Sequence, residues 1–340
     1  MNLSKYDGTI HPIEWLEKIR AQCKLHMDYK NYTNVESMTL EVAKSLVDSS
    51  INVDGIASNA QLLTALKSNI LFEIFLASNK QSLHDLSYRF NTCGYDHEST
   101  ISFLVRFKSL CYNAGITDIY EQKKYLIHSL IIRYQYDFYE RIKDINTFDE
   151  LLKSFQDFII DQKCHIRNQY IVIIKNVFTG LYLSSTFKFD NPGYVVTLSN
   201  NQSDPFCQWQ IIDNNLNIDD DIFYGKEILL YNPKTDKYLC SVRDYKSPVS
   251  KHQKVFTQHQ QSYSPSTWFV QSSNSLNYGE IWKLNDKFSL SHDEDGKNML
   301  LQGHDLHFNI DDKTFQEVVC HNERINRNDE WCIEFLLKKN

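Results

Sequence analysis

The chain has 340 residues, of which 42% are hydrophobic and 13% aromatic, and its formal net charge is −7. This length and apolar content predict two packed domains rather than a disordered chain. Both halves are mildly acidic, which argues against a broad phosphate-binding surface, so nucleic acid is not expected as a partner.

Cysteine spacing and hydropathy indicate the cellular setting. The eight cysteines are spread singly along the chain without a Cys-x-x-Cys pair, so no zinc knuckle is expected. The first residues lack the apolar core of a signal peptide, and no run approaches about 18 consecutive apolar residues. We therefore expect a reduced, cytoplasmic protein with free thiols and no membrane span.

The first half, residues 1–163, is predicted to form an all-α domain with two lobes. Its first helix is expected near Pro12, because a proline N–H is not needed in the first turn of a helix. Capping-box spacing, which predicts a helix start, occurs for Thr33 with Glu36 and for Thr147 with Glu150.

The middle of this half predicts further helices. A long helix is expected from about Ala60 to Leu76, with Ile70 and Ile74 facing inward, and a short one from Ser82 to Phe90. Gly94 then interrupts the helical pattern, so the two lobes are expected to meet just before it. Two more helices are indicated, from about Ser99 to Asn113 and after Asp118, which stands three residues before Glu121.

Part of this half resembles a known family. The run from Ser102 to Asp118, the opening Tyr6-Asp7-Gly8 and the helix start from Thr147 to Leu152 are similar to the capsid region of retrotransposon Gag proteins. The resemblance covers about residues 5–160 and implies a two-lobed capsid fold that self-associates. The chain departs from Gag in having neither a zinc knuckle nor a basic tail, so RNA packaging is not expected. An unrelated helical bundle is the alternative.

The second half contains an internal repeat. From Tyr170 onward, short apolar runs bounded by turn residues predict β-strands. Three times a valine is followed thirteen residues later by a tryptophan and then, after two more residues, by an aliphatic residue. Since one such unit cannot bury its apolar face alone, three four-stranded units are expected to close into a β-trefoil with these residues as core. The sets are Val196, Trp209 and Ile211; Val255, Trp268 and Val270; and Val318, Trp331 and Ile333.

The same half, about residues 168–337, resembles the MIR domain, a β-trefoil family. The resemblance is carried by Tyr-Gly pairs, Thr-x-x-Tyr-Leu turns and the segment before the third repeated valine. It departs at a common histidine of the family, which only the third repeat keeps, as His292. The resemblance implies binding of a glycan, a protein or a small ligand through the loops, without catalysis. The matching positions are Tyr224-Gly225, Tyr278-Gly279, Thr179 to Leu183, Thr235 to Leu239 and Gln316 to Val318, with Asn176 and Asn232 in place of the histidine.

Three groups of polar residues suggest chemistry, and each has a simpler explanation. A metal site at His292, His304, His307 and His321 with Asp293, Asp295 and Asp305 matches no known ligand spacing, so polar loops are preferred. Cys164-His165 has no orienting acid in the sequence and is interpreted as an inert surface pair. The run Asp219 to Asp221 is interpreted as solvated loop charge.

We therefore predict a non-enzymatic protein of the multi-domain α plus β class. No phosphate-binding loop, dinucleotide fingerprint or nucleophile elbow occurs in the sequence, so no catalytic residue, cofactor site or metal site is assigned. The β-trefoil is expected to recognise a glycan, protein or small ligand, and the helical domain to form a homo-oligomer. The alternatives are an adaptor whose helical bundle docks one protein partner and a Gag-derived nucleic-acid-binding relic.

Overall fold

The computed structural model describes residues 4–27, 34–89, 98–259, 266–273, 278–294, 296–323 and 326–335. Within these ranges eight helices precede twelve strands, which confirms the α plus β class. The chain separates into two compact units, Met1–Ile159 and Ile160–Asn340, here called the helical unit and the β unit. The predicted domains, residues 1–163 and 168–337, remain a prediction about which pieces of the chain fold independently.

The helical unit is built around two separate apolar clusters. One contains Tyr6, Trp15 and Leu62, and the other contains Phe107 and Phe155. No single helix in the described ranges has both the length and the hydropathy to cross a bilayer, although α3 and α4 meet those criteria as a pair bent by 63°. The helices are α1 Pro12–Met27, α2 Val35–Leu46, α3 Asn59–Lys67, α4 Ile70–His84, α5 Thr100–Asn113, α6 Ile119–His128, α7 Ile132–Ile142 and α8 Phe148–Cys164.

Helix starts differ from prediction where a neighbouring polar side chain caps the helix. The side chain of Asn34 accepts the backbone N–H of Glu36 at the start of α2, whereas Thr33 lies outside the described residues. At α6 the prediction is confirmed, because an Asp118 carboxylate oxygen lies 2.9 Å from the backbone nitrogen of Glu121. The helix α7 was missed by the sequence analysis.

The prediction of one long helix over residues 60–76 is wrong, because α3 ends at Lys67 and a second helix, α4, begins at Ile70. Asn69 caps a new helix by accepting the backbone N–H of Leu71 at 2.9 Å, an interaction that competes with helix continuation. The break changes which residues face inward, so Ile70 and Ile74 are exposed. The short helix predicted from Ser82 is also wrong, since its first residues complete α4. Phe90 and Gly94 lie outside the described residues.

The β unit contains a closed ring of six strands and a triangle of three mutually paired strands, within one sheet of twelve strands. The ring runs β1–β12–β9–β8–β5–β4 and returns to β1, with every pair antiparallel. The strands β3, β7 and β11 pair with one another, and each also forms a hairpin with the strand before it. The strands are β1 Ile171–Asn176, β2 Tyr182–Asp190, β3 Gly193–Ser199, β4 Gln208–Ile212, β5 Glu227–Asn232, β6 Lys237–Lys246, β7 Gln253–Gln258, β8 Thr267–Ser272, β9 Phe288–Glu294, β10 Lys297–Ile310, β11 Lys313–His321 and β12 Trp331–Phe335.

The three repeated tryptophans make the same buried contact at three places in the β unit. Each indole N–H donates to the carbonyl of a leucine in the preceding hairpin, and all three tryptophans are fully buried. The prediction that they are core residues is confirmed. The nitrogen–oxygen distances are 2.8 Å for Trp209 to Leu183, 3.0 Å for Trp268 to Leu239 and 2.9 Å for Trp331 to Leu301.

The three hairpins also share one register. The repeated valines Val196, Val255 and Val318 pair with Ser185, Ser241 and Gly303, and the register of each hairpin shifts after that pair. Such a bulge bends the strand and strengthens its local twist. Each hairpin therefore bends two residues after the leucine whose carbonyl accepts the tryptophan N–H.

Trp268→Phe tests the contribution of this contact. The substitution removes the donor to the Leu239 carbonyl and leaves a buried acceptor without its partner. We expect the free energy of unfolding to fall by about 2–4 kcal/mol, measured by urea denaturation with circular dichroism. Phe178→Leu, at an exposed residue, is the control and should change it by less than about 0.5 kcal/mol. Equal losses in both variants would contradict the assigned role.

Candidate functional site

The candidate site is a groove of about 810 Å³ in the β unit, between the hairpins β2–β3 and β10–β11. We call it the hairpin groove. Its lining is rich in hydroxyl groups, with a smaller number of amide, aromatic and charged side chains. The lining includes Ser184, Ser185, Thr186, Thr197, Ser199 and Thr314; Asn200 and Gln316; Phe187, Phe206 and Phe315; and Lys188, Asp204, His307 and Lys313.

The other two junctions between hairpins are held by a buried charged side chain. Lys254, one residue before the second repeated valine, donates from Nζ to the Asp190 and Asn191 carbonyls in the β2–β3 turn, at 2.8 and 3.0 Å. Glu317, one residue before the third, accepts the backbone N–H groups of Val249 and Ser250 in the β6–β7 turn. Each charged side chain therefore connects its strand to the turn of the preceding hairpin.

The hairpin groove lies at the junction without such a connection. Val195 stands one residue before the first repeated valine, where Lys254 and Glu317 stand in the other two sets, and all three residues are buried. A valine side chain is short and has no polar end, so it cannot bind the β10–β11 turn. The lack of this connection accounts for an open groove between these two hairpins.

Aromatic rings give the groove an apolar wall. The rings of Phe187 and Phe206 meet edge to face with centroids 5.0 Å apart, and Phe187 is 59% exposed. Phe206 is positioned by a short 3-10 helix, Pro205–Cys207, whose start is capped by the Asp204 carboxylate. An exposed aromatic ring on a concave surface is a common anchor for a ligand.

Hydroxyl and amide groups occupy the rest of the lining, and several are already oriented. Thr197 Oγ1 donates to the Gln316 carbonyl at 2.7 Å, which joins the two sides of the groove. The Gln316 side-chain amide donates to the His304 carbonyl at 2.8 Å. Thr186 Oγ1 donates to the Val195 carbonyl at 3.1 Å. Because a hydroxyl oxygen has two lone pairs, these groups can still accept hydrogen bonds from a ligand.

A surface ion pair joins the two hairpins. Lys188 pairs with Asp311, and the lysine side chain is 38% exposed against 67% for the aspartate side chain. The lysine holds the pKa of the Asp311 carboxyl below its usual value through a hydrogen bond and charge attraction. Exposed pairs of this kind contribute little to stability, so a ligand can replace one partner at small cost.

The histidines considered for a metal site lie in separate local contacts. His292 is buried against Trp268 and lies 3.0 Å from the Gln253 amide nitrogen. His321 Nε2 lies 2.8 Å from Asp329 Oδ1, and both side chains are buried. Across the described ranges, no three His, Cys, Asp or Glu side chains come close enough to hold a metal ion.

The remaining members of that set are also dispersed. His304 pairs with the neighbouring Asp305, and His307 lines the hairpin groove. The Asp293 carboxylate accepts the backbone N–H of Gly296 in the β9–β10 turn. Asp295 lies outside the described residues. Among the described members of this set, His307 is the one that lines the candidate site.

The description of Cys164-His165 as a surface pair is wrong for the histidine. His165 is buried, with its Nδ1 3.4 Å from Asp221 and its Nε2 3.7 Å from Asp161, so acids do lie beside it. Burial raises the pKa of the Cys164 thiol, which opposes formation of the thiolate needed for nucleophilic attack.

The interpretation of Asp221 as solvated loop charge is also wrong. Arg167 Nε donates to its carboxylate at 2.8 Å. Burial acts to raise the pKa of Asp221, but His165 and Arg167 together outweigh it and hold the pKa below its usual value. This cluster links the start of the β unit to the segment before β5, a contact between residues 54 positions apart.

Comparison with known proteins gives fold similarities alone. No protein-family model and no curated protein matches the chain. A Caenorhabditis elegans protein with unknown function shares 24% identity over 51% of this chain and 97% of its own, with a TM-score of 0.45. The SDF2-like protein from Arabidopsis thaliana shares 20% identity over 50% and 98%, with a TM-score of 0.43.

A larger structure also shows similarity. The protein O-mannosyltransferase Pmt1-Pmt2 complex of S. cerevisiae, bound to the sugar donor, shares 15% identity over 95% of this chain and 44% of its own, with a TM-score of 0.42. At TM-scores below 0.5 these similarities do not identify a family. They also add no support to the Gag resemblance of the helical unit, which stays a prediction.

Strand pairing identifies three equivalent positions that bear on pH dependence. Leu290 pairs with Val270 as Ile174 pairs with Ile333 and as Leu230 pairs with Ile211. Two residues further along these strands stand His292, Asn176 and Asn232. The MIR resemblance predicted that these three residues occupy equivalent positions in the repeats. Each asparagine accepts the N–H of a turn threonine and donates to a carbonyl ahead of a repeated tryptophan.

His292→Asn tests a pH effect of the β unit. Burial lowers the pKa of His292, so below about pH 6.5 the unfolded chain binds a proton that the folded chain excludes, and stability falls with falling pH. We expect the stability difference between pH 7.5 and 5.5 to shrink by about 1 kcal/mol in the variant. Urea titrations at both pH values measure it, with His26→Asn at an exposed residue as control. An unchanged difference would contradict this role of His292.

Proposed function

We propose that the chain is a non-enzymatic recognition protein whose β unit is a MIR-like β-trefoil of three repeats. The hairpin groove is its ligand site, and the ligand is a glycan or a protein segment. The MIR resemblance of residues 168–337 supports the trefoil assignment. The observation that carries the binding proposal is the groove itself, with aromatic and hydroxyl groups on one concave surface.

The groove residues have features of a binding site rather than of a catalytic site. Among the described side chains that line it, His307 and Asp204 are the residue types that enzymes most often use as general acids or bases. The Asp204 carboxylate accepts the backbone N–H of Phe206 at 3.0 Å, so it serves as a cap. In the part of the chain that the structure describes, no hydrogen bond joins His307 to a lining hydroxyl, so recognition is the function that these groups favour.

Self-association through the helical unit is a second element of the proposal. Ile132, Tyr136 and Tyr139 stand at spacings of four and three along α7 and are 86%, 70% and 50% exposed. Residues at these spacings lie on one face of a helix, and exposed apolar faces of this kind mark interaction surfaces. Several β units held in one cytoplasmic assembly would bind a repeated ligand with added avidity.

Phe187→Ala and Val195→Lys test the hairpin groove from two directions. The alanine removes the exposed aromatic anchor. The lysine introduces a charged side chain like that of Lys254 and is expected to reach the acidic β10–β11 turn, which partly closes the groove. We expect each variant to bind at least about tenfold more weakly than the unmodified chain.

The measurement uses a glycan array and a pull-down in parallel, followed by titration of whichever ligand is found. Phe178→Ala, which removes an exposed phenylalanine outside the groove, is the matched control for Phe187→Ala. Circular dichroism checks that every variant is folded. Unchanged binding in folded Phe187→Ala and Val195→Lys would place the ligand elsewhere and reject this site.

A double substitution, Ile132→Asp with Tyr136→Glu, tests self-association. Acidic residues near a helix N-terminus are favourable for the helix, so the changes alter the exposed face without opposing the fold. We expect the unmodified chain to form oligomers that the variant loses, measured by light scattering over a concentration series. Tyr120→Glu, at an exposed residue of α6, is the control. A monomeric unmodified chain at high micromolar concentration would reject the proposal.

A further inference from the structure

The charges beside the hairpin groove narrow the class of ligand. We propose that the groove binds an anionic saccharide, one that carries a carboxylate or a sulfate ester, and that this anion replaces Asp311 as the partner of Lys188. The inference rests on the proposed binding function and adds the chemical class of the ligand.

The lining first favours a polyhydroxylated ring over an extended apolar ligand. Six of its side chains carry a hydroxyl, and two carry an amide. Four of these hydroxyls, on Ser184, Thr186, Thr197 and Thr314, already donate within the chain. Their oxygens can therefore accept hydrogen bonds from the hydroxyl groups of a sugar. The exposed Phe187 ring, held against Phe206, provides an apolar surface for contact with the C–H groups of a sugar ring.

The charges of the lining then favour a negative group on that ring. Lys188 and Lys313 both line the groove, and Asp204 is the acid among the described lining residues. The Asp204 carboxylate is already engaged as a cap for Phe206. The described lining therefore carries two lysines against one aspartate, in a chain with a formal net charge of −7. The adjacent β10–β11 turn is acidic, so the lining favours an anion that displaces Asp311 from Lys188.

The ion pair of Lys188 with Asp311 is the contact at which the anion of the ligand replaces a carboxylate of the chain. Asp311 belongs to the β10–β11 turn, and its carboxylate pairs with the ammonium group of Lys188, a residue that lines the groove. Both side chains are partly solvated, so exchanging one carboxylate for another oxyanion costs little. Asp311 then acts as a competitor of the ligand, and removing its charge strengthens binding. A site in which Lys188 merely holds the hairpins together predicts the reverse.

The opposite effects of two substitutions form the test, made on the full chain by titration calorimetry. Asp311→Asn removes the competing charge and keeps a residue type that tolerates its positive φ of 53°. We expect it to tighten binding by about threefold, while the neighbouring Asp312→Asn leaves affinity unchanged. Lys313→Gln should weaken binding by about fivefold to tenfold, with Lys297→Gln, at an exposed residue outside the lining, as its control.

Four probes separate the sources of the negative charge. They are a glucuronate-containing tetrasaccharide, a sulfate-bearing tetrasaccharide, a neutral N-acetylglucosamine tetrasaccharide and a hexaglutamate peptide. We expect one or both acidic saccharides to bind more tightly than the neutral one, and their affinity to fall as salt is raised from about 50 to 300 mM because screening shortens the range of the attraction.

Each other result has a distinct meaning. Equal affinity for neutral and acidic saccharides, with no effect of Asp311→Asn, overturns the anionic inference and leaves the groove as a saccharide site. Binding of hexaglutamate as tightly as the acidic saccharides overturns the assignment to saccharides. Saccharide binding that Phe187→Ala does not weaken rejects the groove, and with it the proposed function.

Discussion

The β unit depends on one contact made three times, between a buried tryptophan N–H and a leucine carbonyl. Each contact joins a strand of the six-stranded ring to the hairpin before it in the chain, so ring and hairpins are held at matching positions. An indole N–H that is removed from water must find an acceptor. The acceptor here is a backbone carbonyl, whose position is set by the hairpin register and not by a side-chain rotamer.

The hairpin groove follows from an exception to this regularity. Beside two of the repeated valines, the buried residues Lys254 and Glu317 each bind the turn of the preceding hairpin through hydrogen bonds. Beside the first, Val195 has no polar group that could bind a turn. The exposed ion pair between Lys188 and Asp311 joins the two hairpins there instead. A buried charged group must be paired and is hard to displace, whereas an exposed pair exchanges easily. Two of the three junctions are therefore joined by a buried charged side chain, and the hairpin groove lies at the third.

The helical unit gives a more limited result. The helices α2 to α6 start at side-chain caps, whereas α7 starts without one. Asp118 caps α6 as predicted, whereas Asn69 divides a stretch whose apolar spacing indicated one helix. Asparagine is a helix breaker only when its side chain turns back to the backbone, and spacing of apolar residues carries no information on that choice. The exposed face of α7 belongs to a helix that the sequence analysis did not predict, although its buried residues Tyr134, Phe138 and Ile142 follow helical spacing.

The sequence by itself determined the class of each half, the buried tryptophans and the equivalence of Asn176, Asn232 and His292. These follow from local periodicity and from a repeat, because burial of apolar residues at fixed spacing has few solutions. Only the tertiary structure decided where a ligand site opens and which charges face it. Lys188 and Asp311 are 123 positions apart, and Lys254 binds a turn 64 positions away. Contacts over such separations are set by how the hairpins pack, which no spacing within one repeat encodes.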